Sequence, residues 1–180
     1  MFQIDLVAKC KANDRKAQLT LYKQYCEGMF HVAMRFVKNA DDAEDVLQDA
    51  FIKAFEKIDQ FRGDVTFGAW LKRIVVNRCL DFLKAKKENL IALDERYMQV
   101  AEDGDWTVAD EITIDEVIRA MQHIPEKYTI VVRLYLIEGY DHDEISGILE
   151  ISGSACRTRL LRGKGYLKEI LKNKRNGTRS

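Results

Sequence analysis

Apolar residues recur three or four positions apart along most of the chain, which is the spacing of amphipathic helices. This pattern predicts helices over residues 14–37, 41–58 and 66–83, and the Arg62-Gly63-Asp64 run before the last of them predicts a turn. Each helix has one apolar stripe, so the three together can enclose a single helical core. We therefore predict an all-α fold with a helical bundle in the N-terminal half.

The helical pattern stops between residues 88 and 112, where the sequence is acidic and irregular. We predict a flexible linker there. Helical spacing then resumes in a stripe of four apolar residues: Ile114, Val117, Ile118 and Met121. Further helical segments follow, so we expect two helical domains, residues 1–87 and 113–180, joined by the linker 88–112.

The C-terminal segment predicts a helix-turn-helix. Asp141 and Glu144 have the spacing of a capping box, and either Ser152 or Ser154 is expected to cap the long final helix. One face of that helix carries polar residues at positions i, i+3 and i+4: Ser154, Arg157, Thr158 and Arg162. Such a face can read base edges in a major groove, although an ordinary solvated surface helix would show the same spacing.

The net charge of zero conceals two basic blocks. Residues 61–87 carry a net charge of +5 and residues 151–180 carry +8, whereas residues 88–116 carry −9. Each basic block can neutralise DNA phosphates, and the acidic stretch between them would be repelled by DNA.

The cysteines and the apolar runs exclude several other classes of protein. The four cysteines are scattered, without CxxC spacing or a histidine at zinc-ligand distance, so we predict reduced, mostly buried thiols and no metal site. The chain has no run of eighteen apolar residues and no signal-peptide pattern at its start. We therefore expect a cytoplasmic protein without membrane insertion.

The predicted helix 41–58 is acidic at its start, with Asp41, Asp45 and Asp49 on one face. Three interpretations remain open: a divalent-metal site, charges that complement the helix dipole, or a docking face for a partner protein. A metal-dependent nuclease would use these carboxylates, but the sequence shows no convergent ligands from other elements.

Aromatic and basic residues alternate within residues 61–87. Single-stranded nucleic acid suits such a surface, because bases stack on rings while cations meet phosphates. The helical spacing of Phe67 and Trp70 also fits two side chains that are buried in the protein core. The better candidates for contact are then polar: Arg73, Asn77 and Arg78.

Two stretches of the chain resemble one known family. Residues 43–84, AEDVLQDAFIKAFEKIDQFRGDVTFGAWLKRIVVNRCLDFLK, are similar to region 2 of sigma-70-type RNA polymerase factors. Residues 138–168, EGYDHDEISGILEISGSACRTRLLRGKGYLK, are similar to their region 4. The short chain, with a linker in place of a third domain, resembles the extracytoplasmic-function (ECF) subfamily.

The resemblance implies a transcription initiation factor that brings core RNA polymerase to promoters and assists strand opening. One helix would dock on the polymerase through Asp42, Asp45, Gln48, Asp49 and Lys53. The −10 element would be read and melted by Arg62, Phe67, Trp70, Lys72, Arg73, Asn77, Arg78 and Lys84. The −35 element would be read as a duplex by Ser152, Ser154, Arg157, Thr158, Arg159, Arg162 and Lys164.

The partners that the resemblance implies are the β′ coiled coil and the β flap of core polymerase, duplex and single-stranded promoter DNA, and an anti-sigma factor. It implies no cofactor and no catalysis by this chain, because the polymerase performs the chemistry. The alternative is a repressor or activator that binds duplex DNA without polymerase, which would leave the acidic helix and the basic, aromatic block unused.

Several residues depart from the family pattern. Glu150 stands where the family usually has glycine after the first helix of the turn, and Ser154 stands where glycine is frequent. If the backbone at Glu150 is left-handed, its side chain costs about 1 kcal/mol. Gly147 and Gly163 lie inside predicted helices, at up to ~1 kcal/mol each relative to alanine.

Overall fold

The computed structural model describes residues 2–88 and 112–177, which fall into two compact helical units. The first unit contains α1 (Phe2–Lys11), α2 (Arg15–Val37), α3 (Ala40–Glu56), a 3₁₀ turn (Ile58–Gln60) and α4 (Phe67–Glu88). The second unit contains α5 (Ile114–Met121), α6 (Glu126–Leu136), α7 (His142–Leu149) and α8 (Gly153–Gly177). The described part of the chain has no strand and no helix long and apolar enough to cross a membrane. Residues 89–111, most of the predicted linker, lie outside the described residues.

The core of the first unit lies between α2, α3 and α4, the three helices that the sequence predicted. Leu21 of α2, Ala50 of α3 and Leu71 of α4 are all completely buried there. The sequence did not predict α1, because a ten-residue helix with a short apolar stripe depends on packing rather than on its own propensity. This helix packs on α2 and the 3₁₀ turn, and it buries Leu6 and Cys10.

Short turns connect the first three helices. After α1 the chain turns at Asn13, whose backbone is left-handed (φ 60°), and the Asp14 carboxylate then accepts from two N–H groups in the first turn of α2. α2 ends at Lys38, also left-handed (φ 60°), and the Asn39 side chain caps α3 through a 2.9 Å hydrogen bond. These caps satisfy backbone groups that a helix end leaves unpaired, so they fix where each helix begins.

The core of the second unit forms around α8, which packs on α5, α6 and α7. Cys156, Leu160 and Leu167 of α8 are buried, on the side of the helix opposite the predicted polar residues. Leu134 of α6 and Ile145 of α7 are completely buried in the same unit. The inward face of α8 is therefore fixed, and so is the opposite face that it leaves to solvent.

Capping boxes begin both short helices of the second unit. The predicted box at α7 is confirmed: the Glu144 N–H donates to the Asp141 carboxylate (2.8 Å), and the Asp141 N–H donates to Glu144 (2.9 Å). The predicted apolar stripe of α5 is wrong in part, because Ile114 is 73% exposed and Ile118 is 39% exposed. Only the last turn of this eight-residue helix is buried, at Met121 and the residue before it.

Helices α6 and α8 approach each other closely at Gly163. A β-carbon at this position would overlap Val132 Cγ2 and would lie 3.3 Å from the Tyr128 carbonyl oxygen. The sequence alone marks Gly163 as a weak point in a helix. The structure gives the reason for it, since a missing side chain lets two backbones pack at short distance.

The four cysteines are free thiols, and Cys10, Cys79 and Cys156 are buried, in agreement with the prediction. Burial raises the pKa of the Cys10 thiol, and the nearby Asp14 carboxylate raises it further. The Cys10 thiol therefore stays protonated and acts as a small apolar group in the contact between α1 and α2.

Candidate nucleic-acid and protein interfaces

The exposed face of α3 combines acidic, amide and apolar side chains. Asp45, Gln48 and Asp49 are exposed, and Ile52, which is 53% exposed, follows them at helical spacing on the same side of α3. We call these four residues the α3 face. Ile52 was not among the predicted docking residues, although its position four residues after Gln48 and three after Asp49 places it on the same surface. Lys53 lies beside this face, half-buried, with its ammonium 3.3 Å from Glu56.

Ion pairs connect α3 to α4. The Lys86 ammonium lies 3.0 Å from the Asp42 carboxylate, and the Arg78 guanidinium lies 3.5 Å from Asp49 and 3.7 Å from Asp81. The acidic residues of α3 are therefore not all available to a partner protein. Because most of these side chains are well exposed, each pair contributes at most about 1 kcal/mol to stability.

The described residues contain no group of three or more His, Cys, Asp or Glu side chains arranged to hold a metal ion. Asp41, Asp45 and Asp49 follow one another along a single helix, and no ligand from another described element joins them.

Four aromatic rings form a cluster where α4 begins. The Phe67 ring lies 5.4 Å from Tyr25, 5.6 Å from Phe61 and 5.5 Å from Trp70, measured between ring centroids. Phe67 is only 2% exposed, so its assignment as a DNA contact is wrong: packing against the other three rings removes it from the surface. Trp70 and Phe61 are half-buried and keep part of each ring accessible.

The loop of residues 61–66 is held in place from both sides. The Lys11 ammonium at the end of α1 donates to the Phe61 carbonyl (2.9 Å), and Gly63 supplies the left-handed backbone (φ 83°) that turns the chain. The Thr66 hydroxyl accepts from the Ala69 N–H (3.2 Å) and so caps α4. Arg62 is exposed within this loop, next to the aromatic cluster.

The solvent-facing side of α4 carries a polar stripe. Arg73, Asn77 and Lys84 are all exposed and lie four and seven residues apart, which places them on one face of the helix. We call these three residues the α4 face. Arg78 points instead toward α3, and Lys72 is half-buried on another side of the helix. The structure thus brings together only part of the set that the sequence grouped as −10 contacts.

The second unit contains the predicted helix-turn-helix, made by α7, a turn and α8. Ser152 rather than Ser154 caps α8, because its hydroxyl accepts from the Ala155 N–H at 3.2 Å. The chain turns at Glu150, which is left-handed (φ 54°, ψ 43°). The glycine that the family usually has there would adopt this conformation without strain.

The solvent-facing side of α8 presents Ser154, Arg157, Thr158 and Arg162, as the spacing predicted. Leu161, which was not among the predicted DNA contacts, is 53% exposed on the same side. We call these five residues the α8 face.

Two basic residues flank the α8 face. Arg159 is half-buried at one edge of the face. Lys164 lies at the other, where its ammonium stands 4.7 Å from the centre of the Tyr135 ring, and this ring stacks on His142 at 5.2 Å. Neither side chain therefore lies in the middle of the surface that would meet base edges.

Comparison with known proteins places a family region on each unit. Residues 21–88 match the family model described as sigma-70 region 2, and residues 114–167 match sigma-70, region 4. The chain is 28% identical over 179 residues to the ECF RNA polymerase sigma factor SigW of Bacillus subtilis, covering 93% of this chain and 95% of that protein. It is also 28% identical over 170 residues to the ECF RNA polymerase sigma-E factor of Escherichia coli K12, covering 88% of each.

Solved structures show the same fold at low sequence identity. CnrH, in complex with the cytosolic domain of CnrY, aligns with a TM-score of 0.59 and 22% identity over 95% of this chain and 97% of that chain. The sigma factor RpoE of Bartonella quintana, in complex with the anti-sigma factor NepR, aligns with a TM-score of 0.58 and 18% identity over 85% and 95%.

Proposed function

This chain belongs to the ECF subfamily of the sigma-70 family and directs RNA polymerase to specific promoters, and we propose how its surfaces divide that work. One observation carries the proposal: each matched region exposes a helix face that carries basic and polar side chains, the α4 face in region 2 and the α8 face in region 4. We assign residues 1–87 to polymerase docking and the −10 element, residues 88–112 to a linker, and residues 113–180 to the −35 element.

The α3 face is the proposed docking site for the β′ coiled coil of core polymerase. Asp45, Gln48 and Asp49 offer acceptors for basic and polar groups, and Ile52 offers an apolar contact at the end of the face. An interface of this kind gains most from a desolvated apolar contact with charges around it. In this proposal Asp42 and Lys53 border the contact, and Arg78 keeps Asp49 oriented.

The loop 61–66 and the α4 face are the proposed site of −10 recognition and strand opening. Extruding a base costs a few kcal/mol, which stacking and hydrogen bonds must return. The accessible part of Trp70 offers a stacking surface, Asn77 offers hydrogen bonds to a base edge, and Arg62, Arg73 and Lys84 offer charge to phosphates. Phe67 supports Trp70 from within the core, and Lys72 lies at the periphery.

The α8 face is the proposed reader of the −35 element as duplex DNA. Arg157, in the second turn of α8, is suited to a guanine, and Leu161 is suited to a thymine methyl group. Ser152, Ser154 and Thr158 offer hydroxyl groups at the start of the helix, and Arg159, Arg162 and Lys164 would contact phosphates. The remaining surface of this unit would meet the β flap.

We further propose that the chain has no catalytic activity of its own and needs no cofactor, because the polymerase holds the reaction site. A factor that works on promoters together with polymerase is expected in the cytoplasm. An anti-sigma factor is the proposed regulator, since RpoE of Bartonella quintana, which shares the fold, was solved in complex with one. Such a partner would block the α3, α4 or α8 face.

Reconstitution with core polymerase tests the proposal. Templates that are transcribed from a random promoter library would identify the promoter, and permanganate footprinting would then measure strand opening. We expect Arg73→Ala and Asn77→Ala to reduce the open bubble while promoter recruitment stays near normal. Lys23→Ala, which removes an exposed lysine of α2 away from these faces, is the matched control.

Two results would overturn this assignment. If neither variant changes the bubble relative to Lys23→Ala, the α4 face has no part in opening. If the wild-type chain binds duplex DNA but never co-elutes with core polymerase or supports initiation, the chain is a repressor or activator instead.

A further inference from the structure

A cationic groove lies at the edge of the α8 face, between α8 and helix α6, which precedes the helix-turn-helix. Its walls are the first turn of α6 and the first three turns of α8, and this open groove has a volume of about 340 Å³. The residues that line it are Lys127, Tyr128, Ser154, Ala155, Thr158, Arg159 and Arg162. This lining contains three cations, three hydroxyl groups and no carboxylate, which is the chemistry of an anion site.

The groove exists because α6 and α8 pack so closely. Gly163 has no side chain, and Val132 and the Tyr128 backbone occupy the space that a β-carbon would fill. This approach brings Lys127, which precedes the helix-turn-helix, to the same surface as Arg159 and Arg162 of α8.

Tyr128 fixes the geometry of two of the cations. Its ring is mostly buried and stacks on Tyr166, with the centroids 5.6 Å apart. Its hydroxyl accepts from Arg162 Nη1 at 3.4 Å, and the Lys127 ammonium stands 5.3 Å from the centre of its ring. The two cations are therefore held at the groove by a rigid aromatic side chain.

We propose that this groove binds a phosphate of the DNA backbone beside the −35 major groove, with Lys127 as the added contact and Tyr128 as a positioning residue. The inference rests on the proposed function, because Ser154, Thr158 and Arg162 belong both to the groove and to the α8 face. A duplex that meets the middle of that face runs its sugar-phosphate backbone along the edge of the face, where the cations stand.

The test compares Lys127→Gln with Lys172→Gln in the polymerase holoenzyme. Lys172 is an exposed lysine of the same helix α8, ten residues beyond Arg162 and so about 15 Å along the axis. Promoter affinity is measured against salt concentration on templates with matched and mutated −35 elements. Loss of one phosphate contact is expected to reduce the salt slope by about 0.9.

Between 50 and 200 mM salt, the affinity of the wild type should then fall about 3.5-fold further than that of Lys127→Gln, on both templates alike. Lys127→Arg should restore the wild-type slope, because it keeps the charge. A methylphosphonate at the contacted phosphate should weaken the wild type more than it weakens Lys127→Gln, because the variant keeps Arg159 and Arg162 at the groove but has lost the Lys127 contact.

Three outcomes would overturn the inference. Equal slopes for Lys127→Gln and Lys172→Gln would show that the groove holds no backbone phosphate. A loss confined to the matched template would make Lys127 a reader of sequence. If pyrophosphate stabilises the DNA-free chain against heat only when Lys127 is present, and the slopes are equal, the ligand is a small free anion. Failure of the wild type to initiate would refute the proposed function itself.

Discussion

Replacement of Gly163 by alanine should destabilise the second unit, although alanine is the better helix former. In an open helix, this change gains about 0.8–1 kcal/mol. At Gly163 the new methyl group would overlap Val132 Cγ2, and the Val132 side chain is completely buried. The second obstacle is the Tyr128 carbonyl oxygen at 3.3 Å, which belongs to the backbone of α6.

Overpacking of this kind costs about 1–3 kcal/mol, and a clash that includes backbone belongs in the upper part of that range. Subtracting the gain in helix propensity leaves an expected loss of about 1–2 kcal/mol in the free energy of unfolding of the second unit. The matched control is Gly28→Ala in α2, where a β-carbon meets no atom within 4 Å. That variant should gain about 0.8–1 kcal/mol in the first unit.

Hydrogen exchange followed by mass spectrometry is the suitable assay, because it measures the opening free energy of each unit separately. Tryptophan fluorescence is less suitable, since the second unit has no tryptophan among its described residues. The reasoning would be refuted if Gly163→Ala increased the protection of α6 and α8 against hydrogen exchange as strongly as Gly28→Ala increases the protection of α2. If alanine is tolerated at position 163, α6 and α8 can move apart without loss of stability. The cationic groove would then lack a fixed width.

Three further predictions concern the turn, the docking face and the DNA-reading face. Glu150→Gly should raise the free energy of unfolding of the second unit by about 1 kcal/mol, because the backbone at this position is left-handed. An unchanged hydrogen-exchange rate in α7 would contradict this. Asp45→Lys combined with Asp49→Lys should weaken binding to core polymerase with unchanged helicity by circular dichroism, and normal co-elution would argue against docking through α3. Arg157→Ala should lose about 1–3 kcal/mol of discrimination between matched and mutated −35 duplexes. Arg162→Ala should weaken both duplexes equally and reduce the salt slope by about 1; the reverse pattern would mean that α8 is rotated in the groove.

Local sequence signals predicted most of the fold. The capping box of Asp141 and Glu144, the turn at Gly63 and the inward stripe of α8 depend on residues within one or two turns of one another. Such features follow from helical periodicity and from the chemistry of helix ends. The polar face of α8 could be predicted in the same way, because its residues lie on the side of the helix opposite the buried ones.

Features that depend on contacts between helices could not be predicted. Nothing in the spacing shows that Asp49 faces Arg78, or that Phe67 is enclosed by rings from two other segments. Ile114 shows the converse error, since a helical stripe is buried only where another helix covers it. The groove at Lys127 belongs to the same class, because a residue of α6 joins it only through the packing at Gly163.

The contact between Lys11 and the Phe61 carbonyl bears on how such proteins can be recombined. The region 2 match begins at residue 21, so α1 lies outside the segment that defines the family. A chimera built by exchanging residues 21–88 would keep the host's N-terminal helix and receive a foreign loop at 61–66. That loop would lose the 2.9 Å hydrogen bond and the surface on which the 3₁₀ turn rests. In this chain the exchanged segment should therefore begin at α1, so that α1 and the loop 61–66 are transferred together.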